Sequence, residues 1–373
     1  MENFDVAVIG GGHAGCEAAH VSARSGSKTL LVTLSKSSIG QLSCNPAVGG
    51  IGKSHLAKEV DALDGLICKV ADNSALQRRK LNLRKGPAVQ ATRLQTCRLN
   101  YKKHMQLELT KQANLKIIEG EVVSLITNKE QIVGIKLEND IDIFCKSIVL
   151  TAGTFLGGLI HIGTKSFRAG RVGDKSACRL ESFFRDSGFP IGRLKTGTPP
   201  RIIRNSINFK NLEAQHSDQD KPHMSFLYDH YGSTPNMIDE IPCFITYTNE
   251  NTHEIIEEAK ELSPIFSGAI KSVGPRYCPS IEDKIDRFAD KKSHQIFLEP
   301  ESTANELIYP NGISTSLPEH IQLKFLKTIN GLENCKISQP GYAVEYSYFD
   351  PRSLCNTLAT KNYNNLFFAG QIN

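Results

Sequence analysis

FDVAVIGGGHAG, residues 4–15, is a short apolar run that meets three glycines without a spacer. Phe4 to Ile9 has the β-branched content of a buried strand. Gly10-Gly11-Gly12-His13-Ala14-Gly15 matches G-x-G-x-x-G, the Ala-rich stretch from Cys16 to Arg24 reads as a helix, and Gly26 ends it. Lys28 to Thr33 then supplies a second strand. This order of strand, glycines, helix and strand is the context that gives the motif meaning. Gly10 allows the tight turn, Gly12 lets the backbone approach a pyrophosphate, and Gly15 lets helix and strand pack closely. The helix N-terminus offers amide donors to the anion. An acid normally ends the second strand and holds the ribose hydroxyls. Here that place reads Thr33-Leu34-Ser35-Lys36, so the ribose must find other partners.

Working outward, SCNPAVGGIGKS (residues 43–54) contains both a loose phosphate-loop pattern, Ala47-x4-Gly52-Lys53-Ser54, and a thiol before Asn45-Pro46. A phosphate loop follows its strand directly and needs a magnesium-binding acid on a later strand. This stretch follows a polar connection instead, and no apolar strand ending in Asp comes after it. The glycines are better read as letting the backbone lie against a cofactor held by the first loop, with Lys53 either facing its phosphates or solvated.

Two further fragments fit the same cofactor. KSIVLTAGT (146–154) is an apolar strand ending in a small-residue turn, and LFFAGQ (366–371) is a strand ending in Gly-Gln where Gly-Asp is usual. An amide in place of the acid still donates and accepts hydrogen bonds. Three such elements in order favour a flavin-type fold over a plain NAD dehydrogenase. The expected fold class is α/β, an FAD-binding Rossmann-like domain of the glutathione-reductase type with an inserted α/β subdomain.

Residues 73–107 contain no Asp or Glu but nine cations: Arg78, Arg79, Lys80, Arg84, Lys85, Arg93, Arg98, Lys102 and Lys103. Leu94, Cys97, Tyr101 and Met105 recur at helical spacing, a core stripe, with Arg98 and Lys102 on another face. Such a segment fits a nucleic-acid surface, and equally a solvated face that helps hold a pyrophosphate. Lys195 and Arg201 in GRLKTGTPPR read as a second basic patch.

The whole chain has 373 residues and a formal net charge of +5, which by itself says nothing about partners. Ten cysteines without a CxxC pair suggest neither a zinc site nor a redox dithiol, and suit a reducing compartment. An apolar run beginning within three residues of Met1 leaves no room for a signal peptide, and no stretch approaches the ~20 apolar residues of a membrane helix. The sequence therefore reads as cytoplasmic. Cys44 and Cys278 stand apart from the other thiols. Cys44 lies in the glycine-rich loop, and Cys278 lies in a turn-rich stretch beside Arg276, where a cation favours the thiolate. For both, a chemical role and a plain loop role are evenly balanced. The other eight read as buried apolar residues. His13 either faces the flavin or is an ordinary loop residue.

GGGHAGCEAA, SCNPAVGGIGKSHLAKEVDALDG, LNLRKGPAVQATRLQ, LTAGTFLGGLIHIG, GRLKTGTPPR, GPRYCPSIEDKIDRF and LFFAGQIN together resemble the MnmG family, also called GidA. The resemblance covers nearly the whole chain. It implies an FAD-dependent enzyme that installs a carboxymethylaminomethyl group at C5 of the wobble uridine of certain tRNAs, as a homodimer partnered by the GTPase MnmE in a heterotetramer. It implies that Gly10, Gly11, Gly12, His13, Ala14 and Gly15 hold FAD, with Val122 and Gln371 as further contacts. A family serine contact aligns nearer Ala177 than Ser176. Gly274, Pro275, Arg276 and Tyr277 open a segment linked to NADH. Cys44 and Cys278 match the two cysteines used for nucleophilic attack, and the basic segment is tipped towards tRNA.

The family continues past GQIN with a helix that completes the FAD site and a helical C-terminal domain. The present sequence ends at Asn373, so the expectation is an incomplete cofactor site with weak flavin retention and no activity for this chain alone. The expected FAD domain is residues 1–200 with 275–373. Residues 201–274, polar and unlike a buried parallel sheet, are expected to form an inserted NADH-linked subdomain. Two rivals are a flavin oxidoreductase acting on a small molecule and a non-catalytic RNA-binding protein.

Overall fold

The structure is a computed structural model that describes residues 3–129, 131–230, 234–235, 238–272, 274, 279–303 and 306–373. Strands β1 (Phe4–Ile9), β2 (Thr29–Thr33), β3 (Leu115–Glu119), β4 (Asp142–Leu150) and β5 (Leu366–Phe368) form a parallel sheet in the order β3-β2-β1-β4-β5. A hairpin of Val122–Asn128 and Gln131–Leu137 extends it antiparallel to the first half of β4. Both faces of this sheet are covered, which explains the unbroken apolar runs. Ala7, Ile9, Leu30, Val32, Ile148 and Leu150 pack into one cluster, while Val8 and Leu31 between them pack with Cys16 and Ala19 of helix α1 (His13–Arg24) in another. The period of two along a strand sends alternate residues to opposite layers.

A three-stranded antiparallel sheet of Ala47–Gly49, Ala91–Thr96 and Ala75–Leu81 lies beside this core, followed by helix α3 (Arg98–Lys111), with α2 (Lys53–Ala62) leading out of its first strand. Tyr101 and Met105 are buried on α3, as the helical stripe predicts. Leu94 and Cys97 are buried too, but the first lies on a strand and the second precedes the helix.

Strands Glu213–Gln215, Cys243–Tyr247, Gln295–Pro300, Leu307–Asn311, Arg201–Ile203 and Ile337–Gln339 lie side by side in that order, all antiparallel. Their cluster runs from Ile202 through Ile256, Ile285 and Phe325 to Cys335. The boundary expected at residue 274 therefore needs correction. Residues 281–335 share one core with 202–259, and the second unit extends from about 201 to 339. A four-stranded antiparallel sheet of Lys165–Arg168, Leu159–Ile162, Tyr342–Phe349 and Ile191–Thr198 connects this unit to the parallel sheet. Phe349 of that sheet stacks on Phe368 of β5 at 4.1 Å between centroids, which fixes the turn after β5. Among the described residues no helix is long and apolar enough to cross a membrane.

Candidate cofactor site and thiol

The glycine turn has the expected geometry, each glycine for its own reason. Gly10 sits at φ +111°, where a Cβ would be strained and would stand 2.7 Å from the Thr151 carbonyl oxygen. A Cβ on Gly15 would stand 1.7 Å from the Gly10 carbonyl oxygen, so α1 can approach β1 only with glycine there. A Cβ on Gly12 would meet nothing within 4 Å. Gly12 is the N-cap of α1, with no side-chain cap and no acid in the first turn, so the helix presents bare amides. Thr151, in the turn after β4, donates its hydroxyl to the carbonyls of Ile9 and Gly10, both at 2.9 Å, and binds the two turns together.

These turns line one cavity of about 580 Å³, within the roughly 300–1,000 Å³ of ordinary ligand pockets. Gly10 to Ala14, Val122, the Thr151–Thr154 turn and Gly370-Gln371 all face it, as does Ala177. So does the stretch from Ser43 to Asn45, with Lys53. Gly15 packs behind the turn, buried against its backbone. Gln371 lines the cavity with its amide donating to the Tyr346 hydroxyl at 2.9 Å. No acid ends β2. Glu119 at the end of β3 instead accepts from the Lys36 amide at 2.8 Å.

His13 stacks obliquely on Tyr101, 5.5 Å between centroids, and its Nε2 is closed off without a hydrogen-bond partner among the described residues. Burial lowers its pKa to about 4, so the ring is neutral at ordinary pH. Open space beside Gly12, uncapped helix amides, an unpaired polar atom and a cavity of this size together fit an FAD-sized dinucleotide.

Ser54, which a phosphate loop would turn towards magnesium, is buried. Its hydroxyl accepts from the Gly50 amide at 2.8 Å and donates to the Thr92 carbonyl. Its strand, Ala47–Gly49, is an antiparallel edge rather than part of the parallel sheet. The loop serves the cavity wall.

Cys44 is exposed at that wall, its sulfur 3.5 Å from the Tyr309 hydroxyl and 3.9 Å from the Gly197 carbonyl oxygen. Arg98 donates to the carbonyls of Leu42 and Cys44, and Arg171 donates to the Ser43 hydroxyl at 3.0 Å. Both guanidiniums thus shape the loop that carries the thiol. Cys278, Pro275, Arg276 and Tyr277 lie outside the described residues. Gly274 is half-buried and is not among the residues lining the cavity. The flanks of that segment are anchored. Ser272 donates to Glu345 at 2.6 Å, and Ser280 caps helix α4 (Ile281–Arg287) in a capping box with Asp283. Of the other thiols, Cys16, Cys68, Cys97, Cys145, Cys243 and Cys335 are buried. Burial pushes Cys16 and Cys145 up to about 12 and Cys335 to about 11. Cys178 is half-buried and Cys355 exposed, against the expectation of burial.

The cation-rich segment is mostly neutralised. Arg78 pairs with Asp72 at 2.7 Å, both buried, Arg79 with Asp218 at 2.9 Å, and Lys80 with Asp220 at 2.5 Å. Arg93 pairs with Glu299 at 2.6 Å and Arg98 with Glu301 at 3.0 Å. Arg84, Lys85, Lys102 and Lys103 have no ion pair among the described residues, and the first two crown an exposed hairpin tip. Lys195 and Arg201 are buried against Asp283 and Glu301, so they form no second surface patch. Sequence reasoning missed Tyr309, Glu301 and Arg171. Local sequence around Tyr309 (LIYPN) is that of an ordinary strand and carries no signal.

Fold and site define a Rossmann-like dinucleotide-binding protein of the FAD type. The chain matches the family described as Glucose inhibited division protein A over residues 5–373, and it belongs to that family. Among solved structures it is similar to GidA of Aquifex aeolicus. In one crystal form the TM-score is 0.94 at 45% identity, covering 100% of this chain and 62% of that one. In a second form the TM-score is 0.91 at 44% identity, covering 99% and 60%. The chain thus spans about three fifths of the length of those relatives.

Proposed function

We propose that this chain is the cofactor-binding core of an FAD-dependent enzyme that modifies C5 of the tRNA wobble uridine, adding a carboxymethylaminomethyl group with NADH as reductant and MnmE as partner GTPase. One observation carries the reading: an exposed thiol, Cys44, faces the same cavity as the glycine turn. The amides of Gly10 to Gly15 would hold the pyrophosphate, with Val122 and Gln371 as further contacts. When bound, the flavin supplies the redox steps on the one-carbon unit. A thiolate from Cys44 or Cys278 would add to C6 of uridine, forming a C–S bond and moving the C5=C6 electron pair onto C5 beside the C4 carbonyl. C5 then attacks a methylene unit carried by a folate as its C=N⁺ iminium; the carbon–nitrogen bond to the folate breaks, the folate amine leaves with a proton, and the amine of glycine takes its place on that carbon. Loss of the C5 proton and expulsion of the thiolate restore the double bond. Residues 274–288 would serve NADH, and homodimer formation belongs to the same reading.

The test is the visible absorption of the protein with added FAD, measured on residues 1–373 and on the chain extended to the length of its relatives. The proposal expects a flavin spectrum in the extended form, and modification of tRNA uridine when MnmE, methylene-folate, glycine and NADH are supplied. Absence of flavin from both forms would refute it.

A further inference from the structure

Cys44 is built into its surroundings more firmly than an exposed loop thiol needs to be, and the reason lies 265 residues away. Tyr309 is 2% exposed; its hydroxyl stands 3.5 Å from the sulfur, and among the described residues that sulfur is its hydrogen-bond partner. The second polar neighbour, the Gly197 carbonyl, can only accept. Once the sulfur is ionised, the donor left to it among the hydrogen-bond partners of the described residues is Tyr309. A buried tyrosine where phenylalanine would pack equally well leaves a hydroxyl that must be satisfied, and here the thiol satisfies it.

Charged groups hold this hydroxyl as a fixed donor. The Arg201 guanidinium lies over the Tyr309 ring, 4.7 Å from its centroid, and that of Arg98 lies at 5.9 Å. Glu301 joins them, accepting from Arg201 at 2.8 Å and pairing with Arg98 at 3.0 Å. Glu299, the cross-strand partner of Tyr309, is occupied by Arg93 at 2.6 Å and Asn311 at 3.0 Å. Burial, and then the field of Cys44, push the phenol well above its ordinary value, so it keeps its proton. Arg98 at the same time grips the Cys44 carbonyl.

We propose that Tyr309 is a positioning residue for Cys44, donating a hydrogen bond to the ionised sulfur while the Arg98–Glu301–Arg201 cluster holds both partners in place. The proposal rests on the reading of Cys44 as a working thiol, but its test uses the sulfur alone. In the intact protein, Tyr309→Phe keeps the ring and removes the donor. Alkylation of Cys44 by iodoacetamide is followed by mass spectrometry, with exposed Cys355 as reference in the same molecule. A donated hydrogen bond increases the ionised fraction but lowers the nucleophilicity of each thiolate, so its loss has opposite signs at two pH values. The variant is expected to react about threefold more slowly near neutral pH. Where the sulfur is fully ionised, it is expected to react about threefold faster. A packing change would alter access in the same sense at both. No change, or the same sense at both, overturns the proposal. If Tyr309→Phe does not fold, 3-fluorotyrosine at position 309, a stronger donor of nearly the same shape, must shift both rates the other way; no shift overturns it equally. Cys44→Ser in the modification assay tests the nucleophile reading separately. Full activity there would move the nucleophile elsewhere and leave the alkylation result standing on its own.

Discussion

Gly12 and Gly15 stand three residues apart in one turn, and a methyl group on each has opposite consequences. At Gly15 the Cβ would lie 1.7 Å from a backbone oxygen, which cannot move aside cheaply. Gly15→Ala is expected to lose at least about 3 kcal/mol of stability, read as a fall in the denaturation midpoint. At Gly12, φ is −73° and the space is open, so alanine fits the fold. Gly12→Ala is expected to keep the melting temperature of the parent and to weaken FAD binding about tenfold or more by titration, because the methyl occupies the place of the pyrophosphate. Unchanged affinity would remove the pyrophosphate from that turn.

His13 adds a pH dependence at the same scale. Its pKa is about 4 in the fold against 6.5 for an unperturbed imidazole. The unfolded chain therefore takes up its proton first, and stability falls as pH drops from about 6.5 to about 4. The ring is partly open to the cavity, so the loss is on the order of 2 kcal/mol, less than the full shift implies. Urea unfolding at pH 4 and pH 7 should show a smaller difference for His13→Gln than for the parent; an equal difference would place the acid sensitivity elsewhere. The turn was legible in sequence because its glycine spacing and flanking elements are local, although Thr151, which ties it down, lies 141 residues on. Tyr309 was not, because its partner is a thiol on a distant loop.

At the scale of elements, the cation-rich segment shows what a sequence window cannot see. Its acid-free composition is real, but beside Asp72, which lies just ahead of the segment, the acids that answer it are Asp218, Asp220, Glu299 and Glu301, brought in by strands and loops well over a hundred residues away. Five of nine cations are taken up in ion pairs, and the remainder includes the exposed Arg84 and Lys85 at one hairpin tip. Replacing both with alanine is expected to weaken tRNA binding and reduce the slope of log K against log salt by about 1 to 2, measured by anisotropy across a salt series. Arg78→Met should instead take the guanidinium from the buried Asp72, leaving it the amides of Met224 and Ser225 and His223, and cost about 3 kcal/mol of stability. An unchanged salt slope in the tip variant would move the RNA surface to another face.

At the scale of the molecule, the parallel sheet could be read because its strands carry periodic apolar runs ending in glycine turns. The second unit could not, since its six antiparallel strands are short, out of sequence order, and divided by polar loops that resemble linkers. What joins the two units is also nonlocal. Gln95 donates to the Pro300 carbonyl at 3.0 Å, Cys97 meets Ser302 at 3.3 Å, and Arg98 and Arg201 converge on the same oxygen of Glu301. Glu301 is 5% exposed and is the one anion these two guanidiniums share among the described residues. Glu301→Gln keeps the shape and removes the charge, which leaves the Arg98 and Arg201 guanidiniums without the anion they share. The expected cost is about 3 kcal/mol. Because Arg98 also grips the carbonyls of Leu42 and Cys44, the damage should reach the cavity wall, and amides around residues 42–45 should exchange faster with deuterium while β1 and β4 keep their protection. A lower melting temperature with unchanged exchange at 42–45 would mean that the cluster joins the units but does not hold the thiol loop. Faster exchange there together with the lower melting temperature would make one buried carboxylate responsible for both.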